Sequence, residues 1–440
     1  VKSARQTAFE ILLKLHRNNA YSNIVLNSAL AENNLSQRES SLASALVYGL
    51  IERQLTVDYN LRLYLTQPIK KLRPEALIAL RLGAFQILFM DKIPPSAAIN
   101  ESVKLARENN CSFAAGLINA VLHKVNVSGL KLPDKANNFY KYYSVKYSCP
   151  EWLVRLWVES YGEENAVGIM ENSLGGTPVV LRVNTLKITT KGLIKKLAEE
   201  GVEATECSEV EDAVTVDRLG NIEQLETYKS GLYHVQDIAS QLCCKALGVK
   251  NNDTVYDMCS APGGKAFTLA EKMENTGRIF AFDIYPARLD LIQKGVKRLG
   301  FTNVFPSLND ASEFNSNLEK ADKILCDVPC SGLGIIRKKP EIRYKMPQDI
   351  DKLPNLQYLI LCTAARYLKK GGVLVYSTCT LNSKENADVC NRFLKEHPSF
   401  RSLKVLVNVP RFEKSGNFVT LMPHINKSDG FFIAAFSEME

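Results

Sequence analysis

Two cysteines stand where an apolar run hands over to a loop. Cys330 lies in DVPCSG, directly after KILC, and Cys379 lies in YSTCTL, which follows GVLV. A free cysteine is usually inert packing, and reactivity depends on thiolate character and exposure, so neither stretch decides its own role. A third stretch, Cys259-Ser260-Ala261-Pro262-Gly263-Gly264-Lys265, follows the strand-like DTVYDM. Its two glycines remove side chains where a backbone must approach a ligand, and the helical pattern after them offers unpaired N–H groups. Asp283, Asp310 and Asp327 follow at the ends of successive strand-like segments.

One Asp at a strand end is commonly a turn or cap residue, but three beside a glycine turn point to a ligand cleft. Asp283, about 20 residues beyond the turn, suits a ribose diol. Asp310 is placed to meet an adenine edge, and Asp327 to face both cofactor and substrate. The turn has neither G-x-G-x-x-G nor G-x-x-x-x-G-K-[ST], which disfavours NAD and ATP. S-adenosylmethionine, with a ribose and no phosphate, fits better. A thiol beside a methyl donor suits C5 of a pyrimidine, which is too weak a nucleophile until a thiolate adds to C6; a second group must then assist release. The residues alone do not rank the two thiols.

Two other readings stay open. Amino methyltransferases carry an Asp-Pro-Pro-Tyr type loop whose aromatic stacks on a flipped base; Cys330 stands in that place and cannot stack, which weakens the reading without removing it. An RNA-binding factor with an idle methyltransferase fold is the non-enzymatic alternative, against which the intact thiols and cofactor residues speak. Cys326, Cys362 and Cys390 lie inside strand or helix patterns and are expected in the core.

These residues need a scaffold, and from about residue 240 the pattern alternates. Strand-like DTVYDMC, GRIFAFD, NVFPSL, ADKILCD and GVLVYST are interleaved with helical GKAFTLAEKM, PARLDLIQKGVKRLG, NLQYLILCTAARYLKKG and KENADVCNRFLKEH. Such alternation specifies a doubly wound parallel α/β sheet, whose ligands lie outside the carboxyl ends of the strands. If the strands before Cys330 and Cys379 are neighbours, both thiols share one rim. FVTLMP and GFFIAAF are expected to add an antiparallel hairpin at one edge.

Upstream, residues 1–130 read as an all-helical bundle. Ala8, Ile11, Leu12 and Leu15 recur at helical spacing, and Ser36 with Glu39 makes a capping box before Leu42, Leu46 and Leu50. The polar stretch KVNVSGLKLPDKANN suggests a boundary. Residues 140–235 read as a small mixed α/β domain containing the helix CPEWLVRLWVESYG, the strand PVVLRVNTL and a helix ended by Gly201. Residues 236–440 complete the division.

The 440 residues, 46% hydrophobic and 23% charged, describe a soluble multidomain protein. No apolar run approaches the roughly 20 residues a bilayer requires, and the first residues show no signal-peptide core, so a cytoplasmic protein without membrane contact is expected. The 11 cysteines form no C-x-x-C pair and meet no His cluster, which argues for reduced thiols and no metal. Net charge is +8, and residues 1–130 hold 15 Lys and Arg against 9 Asp and Glu, compatible with a polyanion or with a merely solvated surface. Arg337, Lys338, Lys339, Arg343 and Lys345 form a basic loop suited to phosphates flanking a target base; a solvated loop is the bland reading.

In DMCSAPGGK, AFDIYPARL, LCDVPCSGLG, RKKPEIRY and YSTCTLNSKEN, in this order, the chain resembles the RNA cytosine-C5 methyltransferase family. Residues 1–130 resemble the RNA-binding NusB domain, and RVNTL and HVQDIASQL the family's intermediate region. The resemblance implies a NusB-like all-α bundle, a small mixed α/β domain and a Rossmann-like methyltransferase domain. It implies S-adenosylmethionine as cofactor, S-adenosylhomocysteine as product, and a cytosine of 16S rRNA or a small-subunit precursor as target, modified by a monomer. By the same carry-over Cys379 is the C6 nucleophile and Cys330 assists release. Cys259, Ser260, Ala261, Pro262, Gly263, Gly264, Lys265, Asp283, Arg288, Asp310 and Asp327 would bind the cofactor, with Asp327 also near the cytosine.

Overall fold

The helical period of the first third is realised in a computed structural model that describes residues 3–18, 35–217, 220, 222–405, 407, 409 and 416–439. Helices α1 (Ala4–Asn18), α2 (Gln37–Arg62), α3 (Pro74–Phe89), α4 (Pro95–Glu108) and α5 (Ala115–Ser128) share one core. α3 is buried without a break from Glu75 to Gln86, and Phe9, Leu46, Leu50, Ile99 and Leu122 pack in the same cluster. Ser36 caps α2 by accepting the Glu39 N–H at 3.3 Å. The Glu39 carboxylate accepts from the Ala4 N–H at 2.6 Å, so the residue expected to close a capping box pins the start of α1. Asp58 and Arg81 form a buried two-bond ion pair, at 2.8 and 2.7 Å, that joins α2 to α3.

This unit extends past residue 130 to Gly175 and takes in Ile336–Lys345 from far along the chain. The polar connector is held by the buried Asn60, whose amide accepts the Lys131 N–H at 2.8 Å and donates to the Lys131 carbonyl at 3.1 Å. Beyond it α6 (Phe139–Tyr147) and α7 (Glu151–Asn172) belong with the helices. Ser148, just after α6, accepts the Leu55 N–H at 2.9 Å, and Thr56 donates to the Val145 carbonyl at 2.5 Å.

The second unit comprises Gly176–Ile335 and Met346–Glu440. It begins with an antiparallel sheet of order β2-β3-β1-β4: β1 (Val179–Val183), β2 (Ala204–Glu206), β3 (Ala213–Val216) and β4 (Tyr233–Val235). α8 (Thr190–Glu199) covers it through Leu193 and Leu197, and Gly201, at φ +76°, follows the helix in the left-handed region.

After α9 (Ile238–Leu247) the expected alternation appears as β5 (Thr254–Asp257), α10 (Gly264–Lys272), β6 (Arg278–Asp283), α11 (Pro286–Leu299), β7 (Val304–Leu308), β8 (Ala321–Asp327), α12 (Leu353–Ala365), β9 (Leu368–Thr378) and α13 (Ala387–Glu396). Strands β7-β6-β5-β8-β9 lie side by side in parallel. Alternate residues serve opposite faces: Val255, Ile279 and Leu325 pack with α9, α10 and α11, whereas Tyr256, Phe282 and Ile324 pack with α12 and α13. Cys326 and Cys390 are fully buried in the second of these cores.

The far edge differs from expectation. β11 (Val419–Leu421) and β12 (Phe431–Glu438) do pair antiparallel, but β12 is interior, lying between β9 and β10 (Phe400–Leu403). The reason is burial: Phe431, Phe432, Ile433, Ala434, Ala435 and Phe436 are all buried, so both faces of β12 are covered.

Candidate active site

The order of the parallel strands reverses between β5 and β8, the switch point outside whose carboxyl ends sheets of this kind bind their ligands. Asp257 closes β5. The turn after it folds back on β6, with the Ser260 N–H donating to the Phe282 carbonyl at 2.7 Å and the Gly263 N–H to the Ser260 carbonyl at 2.8 Å. Gly263 is required by the chain itself, since its φ is +102° and a Cβ would lie 2.5 Å from the Phe267 ring. Gly264 is different. A Cβ there would come no closer than 3.8 Å to a non-neighbouring atom, so the space above the first turn of α10 is open.

Asp283, 3% exposed at the end of β6, accepts the Tyr285 N–H at 3.0 Å and pairs with Arg288 at 3.2 Å. Arg288 also donates to the Ala261 carbonyl at 3.1 Å, so it links the glycine turn to Asp283. Asp310, beyond β7, accepts from the N–H and hydroxyl of Ser312 at 2.9 and 2.6 Å. At the end of β8, Asp327 binds Lys265 Nζ at 2.6 Å through one oxygen and the Ser377 hydroxyl at 2.8 Å through the other. Burial disfavours charge on Lys265, but Asp327 outweighs it and holds the ammonium protonated well above its usual range.

β8 and β9 are parallel neighbours with Asp327 opposite Ser377, so their loops emerge together. The Sγ atoms of Cys330 and Cys379 stand 3.1 Å apart, and both residues are partly exposed. The contact with Cys379, with desolvation adding to it, pushes the Cys330 thiol well up, so Cys330 resists giving up its proton. The arrangement places two sulfurs within hydrogen-bond distance, either of which can be the donor, so a thiolate formed there would have a thiol beside it.

The model of the 16S rRNA methyltransferase RsmB/F family matches residues 244–437, that of the NusB family residues 2–126, and that of the RsmF/B-like ferredoxin-like domain residues 149–223. A probable ribosomal RNA small subunit methyltransferase B of Bacillus subtilis (strain 168) is 36% identical, over 98% of both chains. The chain belongs to the RsmB/F family of 16S rRNA methyltransferases. An RsmB/F protein is an S-adenosylmethionine-dependent rRNA methyltransferase. Among solved structures, PH0851 is 26% identical, covers 100% of this chain and 99% of its own, and superposes with a TM-score of 0.84. A methyltransferase homolog protein from Pyrococcus horikoshii is 29% identical over 69% of this chain and 99% of its own, with a TM-score of 0.61.

The RsmB/F cleft fits such a cofactor. Both carboxyl oxygens of Asp257 and the Ser260 hydroxyl are buried without a hydrogen-bond partner, an arrangement that a polar ligand in the cleft would relieve. With the open space at Gly264 and the acceptor Asp283 beside it, the residues present suit a nucleoside with a polar tail.

The structure thus brings Cys259–Lys265, Asp283, Arg288, Asp310, Asp327, Cys330 and Cys379 into one unit. The basic loop belongs to the other unit. Lys338 and Lys339 are exposed there, and Arg337 is half-buried, donating to the Gly175 carbonyl at 3.2 Å. Arg343 does not face solvent, contrary to the expected phosphate contact. It is fully buried and donates to the carbonyls of Glu52, Tyr147 and Ser173 at 2.9, 3.2 and 2.9 Å. Its charge is spent on carbonyls at the ends of α6 and α7 and on one within α2. Cys362, expected in the core, is partly exposed and lies 3.2 Å from His397 Nε2.

Sequence reasoning missed the residues that hold the two thiol loops. The Ser331 hydroxyl bonds Thr380 at 2.7 Å, and Asn386 bonds Thr378 and the Thr380 carbonyl at 2.6 and 2.9 Å. A Cβ on Gly334 would lie 1.8 Å from the Gly430 carbonyl and 2.9 Å from that of Cys379, so only glycine lets this strand of loop pass. The usable signal was a polar run, NSKEN, following a thiol motif where loop residues would ordinarily need no burial.

Proposed function

We propose that this chain methylates C5 of a cytosine in 16S rRNA through a covalent bond between Cys379 and C6 of the base. The 3.1 Å approach of the two thiols, at the rim that also carries the cofactor turn, is the observation that supports it. Cys379, as thiolate, adds to C6 and makes C5 nucleophilic. S-adenosylmethionine, when bound, supplies an electrophilic methyl group. C5 then gives its proton to solvent water, the electrons of that C–H bond re-form the C5–C6 double bond, the C6–S bond breaks, and its electron pair returns to the sulfur of Cys379. Cys330, holding its proton, donates a hydrogen bond to that departing sulfur and so assists release.

Asp283 and the Cys259–Lys265 turn bind the cofactor, with Arg288 and Asp310 shaping its nucleoside end. Asp327, oriented by Lys265 and Ser377, faces the cytosine. The base is a single-stranded or extruded cytosine, because C5 and C6 must meet both methyl donor and thiol. Lys338, Lys339 and Arg337 meet flanking phosphates of 16S rRNA or its small-subunit precursor. The protein acts in the cytoplasm as a monomer.

The test uses labelled methyl donor and small-subunit rRNA, with 5-methylcytosine mapped afterwards. Cys379→Ala should lose methyl transfer and adduct alike. Cys330→Ala should accumulate an RNA adduct that survives denaturing electrophoresis. Full methylation by Cys379→Ala, or a methyl group found on the exocyclic nitrogen, would show the proposal to be wrong.

A further inference from the structure

Glu385 has no part in the chemistry above, yet it is fully buried. A buried carboxylate is costly unless its oxygens are satisfied. Here neutral donors satisfy them. One oxygen accepts from the Ser331 N–H at 2.8 Å and from Gln357 Nε2 at 2.9 Å, and the other from Asn382 Nδ2 at 2.8 Å. Ser331 is the residue after Cys330, and Asn382 lies three residues beyond Cys379. Gln357 also donates to the carbonyl of Pro329, the residue before Cys330, at 3.0 Å. The Tyr376 hydroxyl, on β9 below Cys379, donates to the Glu385 carbonyl at 2.5 Å.

We infer that Glu385 is a positioning residue: its carboxylate ties the loop of Cys330 to the loop of Cys379 and sets the spacing of the thiol pair. The inference rests on the roles proposed for the two thiols. Its charge has a second effect. The titratable groups facing Cys330 are Cys379, Glu385, Asp327 and Tyr376; the first three favour the protonated thiol, whereas Tyr376, held protonated well above its usual range, is neutral. Glu385 therefore helps keep on Cys330 the proton used when the product leaves. Neutralising it should move that proton toward release at lower pH.

The experiment compares Glu385→Gln and Glu385→Asp with the wild-type chain. Decay of the RNA adduct should slow by about tenfold in Glu385→Gln, with cofactor affinity unchanged, as expected for losing one charge-assisted hydrogen bond. In a Cys379→Ala background, iodoacetamide alkylation of Cys330 should have its pH midpoint lowered by about 0.5–1 unit on adding Glu385→Gln. Glu385→Asp should leave that midpoint in place while still slowing decay, because it keeps the charge and shortens the reach. If Glu385→Gln does not fold, Gln357→Met removes one donor only, and should also slow decay.

Wild-type decay and an unmoved alkylation midpoint in Glu385→Gln, or wild-type decay in Gln357→Met, would overturn the inference while leaving the thiol roles intact. Absence of any adduct in Cys330→Ala would instead remove the reading on which it rests.

Discussion

Asp257 carries a carboxylate into a buried place where neither oxygen makes a well-formed hydrogen bond. Burial, with Asp327 adding its charge, outweighs the nearby Ser260 hydroxyl, Lys265 ammonium and Cys259 N–H and pushes the carboxyl up to about 7. The unfolded chain ionises near pH 4, whereas the folded one resists until about pH 7. The folded state therefore binds the extra proton between these values and loses stability as pH rises through them. Asp257→Asn should raise the thermal midpoint of the cofactor-free protein at pH 8, by an amount on the order of 2–4 kcal/mol, and leave it nearly unchanged at pH 4. Calorimetry at the two pH values checks this; equal gains at both would show that ionisation is not the cause. Saturating cofactor should narrow the difference at pH 8 by giving the carboxylate a partner. In the sequence the two thiols meet only if their strands are neighbours; the parallel register of β8 and β9 makes them so and leaves the sulfurs 3.1 Å apart.

At the scale of elements, the parallel strands were legible because each is a short apolar run, three of the five closing on Asp, with a helix period between all but β7 and β8. The cofactor turn was legible because it is continuous in the chain. Glu385, Gln357 and Gly334 were not, since the partners through which they join the two thiol loops lie 28 to 96 residues away and no local pattern marks them. β10 was missed as a four-residue strand that exists only because β12 accepts it. Arg343 was misjudged for a related reason: a basic residue in a basic loop reads as solvent-facing, but its guanidinium matches carbonyls gathered from Glu52, Tyr147 and Ser173. Arg343→Met should therefore destabilise the first unit by about 2–4 kcal/mol, through stranded carbonyls, as measured by urea unfolding. Retention of wild-type stability with weakened RNA binding would restore the phosphate role.

At the scale of the molecule, the phosphate contacts proposed above rest on a few exposed side chains rather than on the net excess of +8. Lys338→Ala with Lys339→Ala should lower the slope of log binding constant against log salt by about 2 and leave the thermal midpoint in place. Binding of small-subunit rRNA measured over a range of salt tests it; an unchanged slope would place the phosphate contacts elsewhere.

The assignment of Ile336–Lys345 to the first unit also has a temporal meaning. A ribosome finishes Gly175 long before it reaches Lys345, about 170 residues later. At about 5–20 residues per second the helical unit waits roughly 9 to 34 s for its last segment. Until Arg343 arrives, the carbonyls of Glu52, Tyr147 and Ser173 lack the guanidinium that pairs them in the finished fold. The helical unit is thus the first to begin folding, yet it is completed only after half the strands of the catalytic sheet, β5 to β8, have been made.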